Sequence, residues 1–277
     1  VLNVLESDQH AALTQLELPT IAGTMDLRRS DISSVVESTK IQGVSEMGNV
    51  EQTLSFVRRY VIWLALGELL RDYGFEPCHA AALTAPGDNQ QGMLVLGASG
   101  SGKTTTSLGC TLADCGLLGD DLVMLREDDD AGSKTIHAYT LLPEISVRTH
   151  TLDFWPELAF LRTYPVDERD KRFCAIEILR QGASRLVAPI RFLLFPVLVT
   201  DGNSKLLPLS KAAALRELTQ LCISKEYGNT RPALQQRQFQ LLTLLAEQGQ
   251  SYRLEVTTGD RNVSQLICSL FTGVTDE

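Results

Sequence analysis

A chain of 277 residues, 44% of them hydrophobic and 21% charged, can bury a full core as one large domain or as a domain with a small lobe. Its formal net charge of −9, with no long basic run, argues against nucleic acid or an anionic membrane surface as the main partner. The apolar stretches VIWLALGELL (Val61 to Leu70) and FLLFPVLV (Phe192 to Val199) are too short to span a bilayer, and Pro196 interrupts the second.

Residues 1 to about 50 alternate apolar and polar, as in LTQLELPTIAG and DISSVVEST, which predicts short strands. From Glu51 to about Tyr73 the spacing turns helical, with Leu54, Val57, Val61, Leu64, Ala65 and Leu69 on one face and Gly74 as a stop. Residues 1–75 are therefore expected to form N-terminal strands and a helix integrated with the core, and residues 76–277 the main domain.

Two apolar runs, His79 to Leu83 and Met93 to Leu96, flank the turn-forming cluster APGDNQQG and read as a β-hairpin. A helix is expected from Lys103 to about Ala113, then a strand over GLLGDDLVML. The acidic tip REDDDAGS reads as a solvated hairpin loop turning the chain back into KTIHAYTL. LPEISVRTHTLDFWPELAF reads as a loop with a short helix, and FCAIEIL and IRFLLFPVLV as strands. The last third is mostly helical: Lys211 to Cys222, Pro232 to Glu247, a strand SYRLEV, and a terminal helix from about Asn262. The class is α/β or α+β, in one main domain.

Six cysteines are scattered with no CxxC pair, most among apolar neighbours. That predicts buried free thiols in a reducing compartment rather than disulfides or a zinc site. With no signal peptide in view, a cytoplasmic location is expected.

The chemistry centres on MLVLGASGSGKTTTSLG, where GASGSGKT fits G-x-x-x-x-G-K-[ST] with Gly97, Gly102, Lys103 and Thr104. Glycines let the backbone of Gly97, Ala98, Ser99, Gly100, Ser101 and Gly102 curl so that its N–H groups face phosphate oxygens. The following helix adds the positive end of its dipole, Lys103 a point charge, and the Thr104 hydroxyl a ligand for Mg²⁺. The Thr105 hydroxyl is a candidate contact to the α-phosphate. Neither N-K-x-D nor L-S-G-G-Q occurs, which favours a small kinase-like module over a guanine-specific switch or a transport-type ATPase.

Asp120 and Asp121 stand before the apolar run LVML rather than after it. Adjacent carboxylates at a strand's start are costly without compensating cations, and strand alternation points them to opposite faces. One suits a metal and the other proton removal from an attacking hydroxyl, whereas a plain Gly-Asp-Asp turn is the structural alternative. If the hairpin pairs HAAAL with MLVLG, His79 lies beside Gly97, as a site residue or as an ordinary edge histidine.

A histidine-led strand, a turn, the glycine-rich loop and an Asp-Asp pair, spanning His79 to about Leu125, together resemble the HPr kinase/phosphorylase family. The arrangement is similar, more distantly, to the nucleotide site of ATP-dependent phosphoenolpyruvate carboxykinase. The first 78 residues do not match the larger N-terminal domain of bifunctional HPr kinases, so the likeness is to the shorter, HPr-kinase-related class.

The resemblance implies an α/β fold with a P-loop kinase core of this type, a mixed sheet with N-terminal strands, and a helical C-terminal part. It further implies ATP and Mg²⁺, with transfer of the γ-phosphate to a hydroxyl, foremost a serine of a protein or peptide, a precursor peptide included. A small-molecule hydroxyl such as free serine, or a nucleotide-binding regulatory protein without transfer, are the alternatives. By the same resemblance, Asp120 looks like the general base, Asp121 a metal ligand or second carboxylate, and His79 their neighbour. Lys103 and Thr104 would hold phosphate and Mg²⁺, and Arg148 is either an extra phosphate or substrate contact or a surface residue. HPr kinases are hexameric, which leaves a homo-oligomer open.

Overall fold

Strands buried along their whole length have to be covered on both faces, and two such runs lie at the centre of this fold. In the computed structural model, AAALT forms β5 (Ala80–Thr84) and GMLVL forms β6 (Gly92–Leu96), paired antiparallel with Ala80 opposite Leu96 and Thr84 opposite Gly92. All ten residues are buried. Alternation sends Ala81, Leu83, Met93 and Val95 into one core and Ala80, Ala82, Leu94 and Leu96 into the other. Full burial of a leucine side chain contributes roughly 1.5–3 kcal/mol, so both sheet faces have to be packed.

The structure describes residues 2–7, 11–17, 24–28, 63–87, 91–130, 132–167, 169–222 and 232–273. These fall into two units, residues 1–73 with 224–234, and residues 74–223 with 235–277. In the first, β1 (Leu2–Ser7), β2 (Ala11–Glu17) and β3 (Thr24–Arg28) form an antiparallel sheet in that order. Helix α1 (Trp63–Arg71) belongs to the same unit. The remaining strands expected up to residue 50, and the helix over 51–62, lie outside the described residues.

The second unit is built on a nine-stranded mixed sheet. Its further strands are β4 (Glu76–Cys78), β7 (Gly116–Gly119), β8 (Val123–Asp130), β9 (Ser133–Tyr139), β12 (Val187–Val199), β13 (Lys205–Pro208) and β14 (Gln250–Thr257). The order is β4-β8-β9-β12-β6-β5-β7, with β14 paired to β12 and β13 to β14. The long β12 changes partners along its length: Val187–Pro189 pairs antiparallel with β9, while from Ile190 on it pairs parallel with β6, with a bulge at Ile190/Phe192, and from Phe192 on also with β14. A separate two-stranded ribbon joins β10 (Glu144–Arg148) to β11 (Lys171–Ala175).

Helices cover both faces. On one side pack α2 (Lys103–Leu112), α3 (Thr149–Phe154), a 3₁₀ helix (Pro156–Thr163), the short α4 (Ile176–Leu179) and α7 (Val263–Thr272), through residues such as Leu108, Leu152, Leu158, Ile176 and Ile267. On the other lie α5 (Lys211–Cys222) and α6 (Pro232–Gln248), contributing Ala214, Leu218, Leu242 and Leu245. Among the described residues no helix is long and apolar enough to cross a membrane. All six cysteines are free thiols.

Four sequence expectations change. FCAIEIL is strand only as far as Ala175, after which Ile176–Leu179 forms the short helix α4. EISVR is not loop: Glu144–Arg148 is a strand, with Ile145 and Val147 buried. The acidic run is not a loop either, because β8 continues through it and turns only after Asp130. The fourth change is GLLGDDLVML, which is two strands broken at Asp120 and Asp121.

Candidate functional site

That break decides where the carboxylates stand. Asp120 directly follows the fully buried β7, so it ends an apolar strand instead of opening one. Strand β7 is antiparallel to β5, and β5 to β6, so β6 and β7 run the same way. The glycine-rich loop after Leu96 and the Asp pair after Gly119 therefore leave the sheet at the same edge. Ligands of α/β sheets bind at this carboxyl edge.

The loop from Gly97 to Gly102 links β6 to α2. Gly100 and Gly102 take φ of 83° and 96°, a left-handed backbone in which any other residue would be strained. The Lys103 ammonium, 6% exposed, donates to the carbonyls of Gly97 at 2.6 Å and Ala98 at 3.1 Å. Burial lowers its pKa, and Lys171 adds to this, while Asp121 and Asp120 act in the other direction. Ser101 Oγ is buried with no hydrogen-bond partner among the described residues.

Thr104, one residue into α2, donates its hydroxyl to Asp120 Oδ2 at 3.0 Å. The Ser146 backbone N–H in β10 donates to Asp120 Oδ1 at 3.2 Å. Asp120 is only 2% exposed. Burial and the neighbouring Asp121 charge push its pKa up to about 8, against the pull of Ser146, Lys171 and Thr104.

Asp121 has different company. Lys171, at the start of β11, donates to Asp121 Oδ2 at 2.5 Å, and the Ser146 hydroxyl is 3.4 Å from the same oxygen. His79 Nδ1 is 2.7 Å from the Asp121 carbonyl oxygen and 3.8 Å from Oδ1. A carbonyl only accepts, so Nδ1 carries the proton in this contact. Burial raises the Asp121 pKa, but Lys171, by charge and hydrogen bond, together with His79 and Lys103, holds it below the ordinary carboxylate value. With its side chain 45% exposed, Asp121 is the member of the pair open to an incoming group.

The structure thus draws together Lys103, Thr104, Asp120, Asp121 and His79, and the β5–β6 register sets His79 one residue beyond the Ala80–Leu96 pair, level with Gly97. Thr105 accepts a hydrogen bond at its carbonyl from Trp155 Nε1 at 3.3 Å. Arg148 ends β10 opposite Lys171 in the ribbon register. Sequence reasoning missed Ser146 and Lys171. Ser146 sat in a stretch read as loop. Lys171 lies in the charge run DERDKR, where a lysine looks like any solvated cation.

The donor set suits Mg²⁺. Among the described residues no group of three or more histidine, cysteine or carboxylate side chains could hold a metal by itself. Two carboxylates and a hydroxyl are hard oxygen donors, and Mg²⁺ commonly takes one or two carboxylates and completes its shell with phosphate and water. The orphaned Ser101 hydroxyl in the glycine-rich loop also fits a phosphate group, whose oxygens would accept its proton.

No protein-family model matches the chain, and no curated protein matches it. Among solved structures, the chain is similar to the Hpr(Ser) kinase/phosphatase from Coxiella burnetii, with a TM-score of 0.39 and 13% sequence identity over 72% of this chain and 89% of that one.

Proposed function

We propose that the chain is an ATP- and Mg²⁺-dependent kinase that transfers the γ-phosphate to a hydroxyl, foremost a serine in a protein or peptide. The carrying observation is the Thr104–Asp120 hydrogen bond, which joins the helix after the glycine-rich loop to the carboxylate pair. Lys103 neutralises phosphate charge once it leaves the carbonyls of Gly97 and Ala98. Thr104 and Asp120 would hold Mg²⁺, which supplies charge neutralisation on the phosphates when bound.

Asp121 receives the proton of the acceptor hydroxyl, oriented by Lys171, Ser146 and His79. This exchanges the roles that the family resemblance implies. The reason is access: both Asp120 oxygens already accept hydrogen bonds and the residue is buried, whereas Asp121 is half-exposed. A weakly basic Asp121 suffices, because phosphoryl transfer through a loose transition state depends on positioning and charge more than on a strong base.

The test is incubation with γ-labelled ATP, Mg²⁺ and cell extract, then mass spectrometry of whatever acquires phosphate. Asp121→Asn should still bind nucleotide but lose transfer by at least ~100-fold, and Lys103→Ala should weaken nucleotide binding itself. Unchanged transfer by Asp121→Asn would remove it as the proton acceptor. If no phosphate is transferred to any protein, peptide or small molecule while ATP still binds, the regulatory alternative holds.

A further inference from the structure

Strand alternation sorts the side chains of the β10–β11 ribbon onto two faces. Ile145 and Val147 of β10 turn into the core, as does Cys174 of β11. The opposite face meets the carboxylate pair: the Ser146 hydroxyl lies 3.4 Å and the Lys171 ammonium 2.5 Å from Asp121 Oδ2. Arg148 stands two residues beyond Ser146, still in extended backbone with φ of −87° and ψ of 158°. It therefore shares that face, about 7 Å further along the strand. Arg148 is also the register partner of Lys171. Side chains directly opposite in an antiparallel pair have Cβ atoms about 5 Å apart, so the arginine stem rises beside the ammonium that holds Asp121.

Like charges directly opposite each other in a strand pair are destabilising unless an anion offsets them. Asp121 offsets Lys171. Arg148, by contrast, is half-buried and makes no ion pair or side-chain hydrogen bond among the described residues. The next ribbon cation, Arg172, lies on the other face and bonds Thr149 Oγ1 at 2.8 Å. A planar guanidinium left open on the face that meets the carboxylate pair is suited to hold an anion through two parallel hydrogen bonds.

We propose that Arg148 sets acceptor specificity: the molecule that receives the phosphate carries a carboxylate close to its hydroxyl, and Arg148 binds that carboxylate. The inference rests on the kinase reading above and deepens it by naming the chemistry of the acceptor. The donor phosphates have their own partners in the loop, Lys103 and Thr104, which meet the pair at Asp120. Arg148 stands with Lys171 on the Asp121 side, where the acceptor hydroxyl is placed. The acceptor is then fixed at two points, which orients the hydroxyl for transfer. In that step its oxygen bonds to the γ-phosphorus, the bond to the β-phosphate oxygen breaks with its electron pair leaving on ADP, and the proton goes to Asp121. The carboxylate has two sources, an aspartate or glutamate near the serine in a peptide, or a free carboxyl terminus on the serine itself.

The test measures transfer from γ-labelled ATP by the full chain to two sets of serine acceptors. In one set, peptides carry glutamate or glutamine at successive positions around the serine. In the other, peptides end on the serine as free acid or amide, with free serine and serinamide as the smallest members. The best acidic acceptor should exceed its neutral twin in kcat/KM by about tenfold, the scale of one charge-assisted contact, and the set that shows the gap identifies the source. Arg148→Gln should close the gap by lowering the acidic member about tenfold, with the neutral twin within about threefold and the KM for ATP within about twofold of wild type. Arg148→Lys should restore part of it, through charge without the planar fork. No preference for acidic acceptors, equal losses on both twins, or a matching rise in the KM for ATP would overturn the subsite and leave the kinase reading standing. Transfer to none of these acceptors would overturn the serine-kinase reading and the subsite together.

Discussion

Thr104 Oγ1 and Asp120 Oδ2 stand 3.0 Å apart although 16 residues separate them in sequence and β5 lies between the strands that lead to them. The hydroxyl satisfies a buried carboxylate and, on the proposed reading, shares a Mg²⁺ with it. Thr104→Val keeps the shape of the side chain and removes the donor. Affinity for the Mg²⁺–ATP complex should then fall by about tenfold, as expected for the loss of one charge-assisted contact. Affinity for ATP in excess chelator should stay within twofold. Calorimetry with and without Mg²⁺ checks this, and an equal loss in both conditions would mean that Thr104 acts on the loop and not on the metal.

Lys171 gives the second prediction. Its ammonium holds Asp121 at 2.5 Å, and it reaches the site from a ribbon that is not part of the main sheet. Lys171→Met should lower the rate of phosphate transfer by ~10- to 100-fold, the usual scale for removing one preorganising charge. Nucleotide affinity should change by less than threefold, since Lys103 and not Lys171 sits on the loop. Lys171→Arg should recover part of the rate. A loss of nucleotide binding in step with the loss of rate would instead mark Lys171 as a nucleotide contact.

Much of this arrangement was legible because its residues declare themselves locally. The loop spacing, the apolar β5 and β6 runs and the turn between them fix where Lys103, Thr104 and His79 stand. The Asp pair was legible as a pair, but its place was not. A buried GLLG strand of four residues is too short to stand out from the apolar run LVML that follows, so the break at Asp120 was hidden. Lys171 and Ser146 come from a ribbon whose pairing is a tertiary fact: Ser146 faces Phe173 across 27 positions, and no local period signals it. The same holds for Asp128, read as part of a solvated tip. It is 18% exposed, because strand alternation turns it toward Arg126 and Tyr139 while Glu127 and Asp129 face water.

Asp128 also carries a pH prediction. Burial raises its pKa, but hydrogen bonds from Tyr139 at 2.5 Å and Arg126 at 2.6 Å, with the charges of Arg126 and His137, bring it below the ordinary value. A folded-state pKa below the unfolded one, about 3.9, means that the folded protein releases this proton more readily. The stabilisation is therefore complete above about pH 4 and is lost as pH falls through the folded-state value. Asp128→Asn should cost about 1–3 kcal/mol at pH 7, read from chemical denaturation. The gap between variant and wild type should narrow steadily below about pH 4. A gap that is constant from pH 7 down to acid unfolding would show that the ionised carboxylate is not what stabilises the β8–β9 hairpin.

Gly109 sets helix propensity against packing. It lies within α2, where alanine would ordinarily gain about 1 kcal/mol. Here, however, a Cβ would stand 2.7 Å from Trp155 Cζ2 and 3.1 Å from Cη2. The ring has little room to retreat: it is 6% exposed, packed edge-on against Phe154 and bonded through Nε1 to the Thr105 carbonyl. Overpacking a core of this kind costs about 1–3 kcal/mol, so the balance for Gly109→Ala should be a net loss of stability rather than a gain. Trp155→Leu vacates the crowded space, and adding it to Gly109→Ala should restore the helix benefit. The double-mutant cycle should therefore show a coupling of at least ~1 kcal/mol. Because the displaced ring is tied to Thr105, Gly109→Ala should also weaken nucleotide binding, and Trp155→Leu should not deepen that loss. A stabilised Gly109→Ala protein would mean that Trp155 moves freely, and that the close approach of α2 to its ring does not hold the first turn of the helix in place.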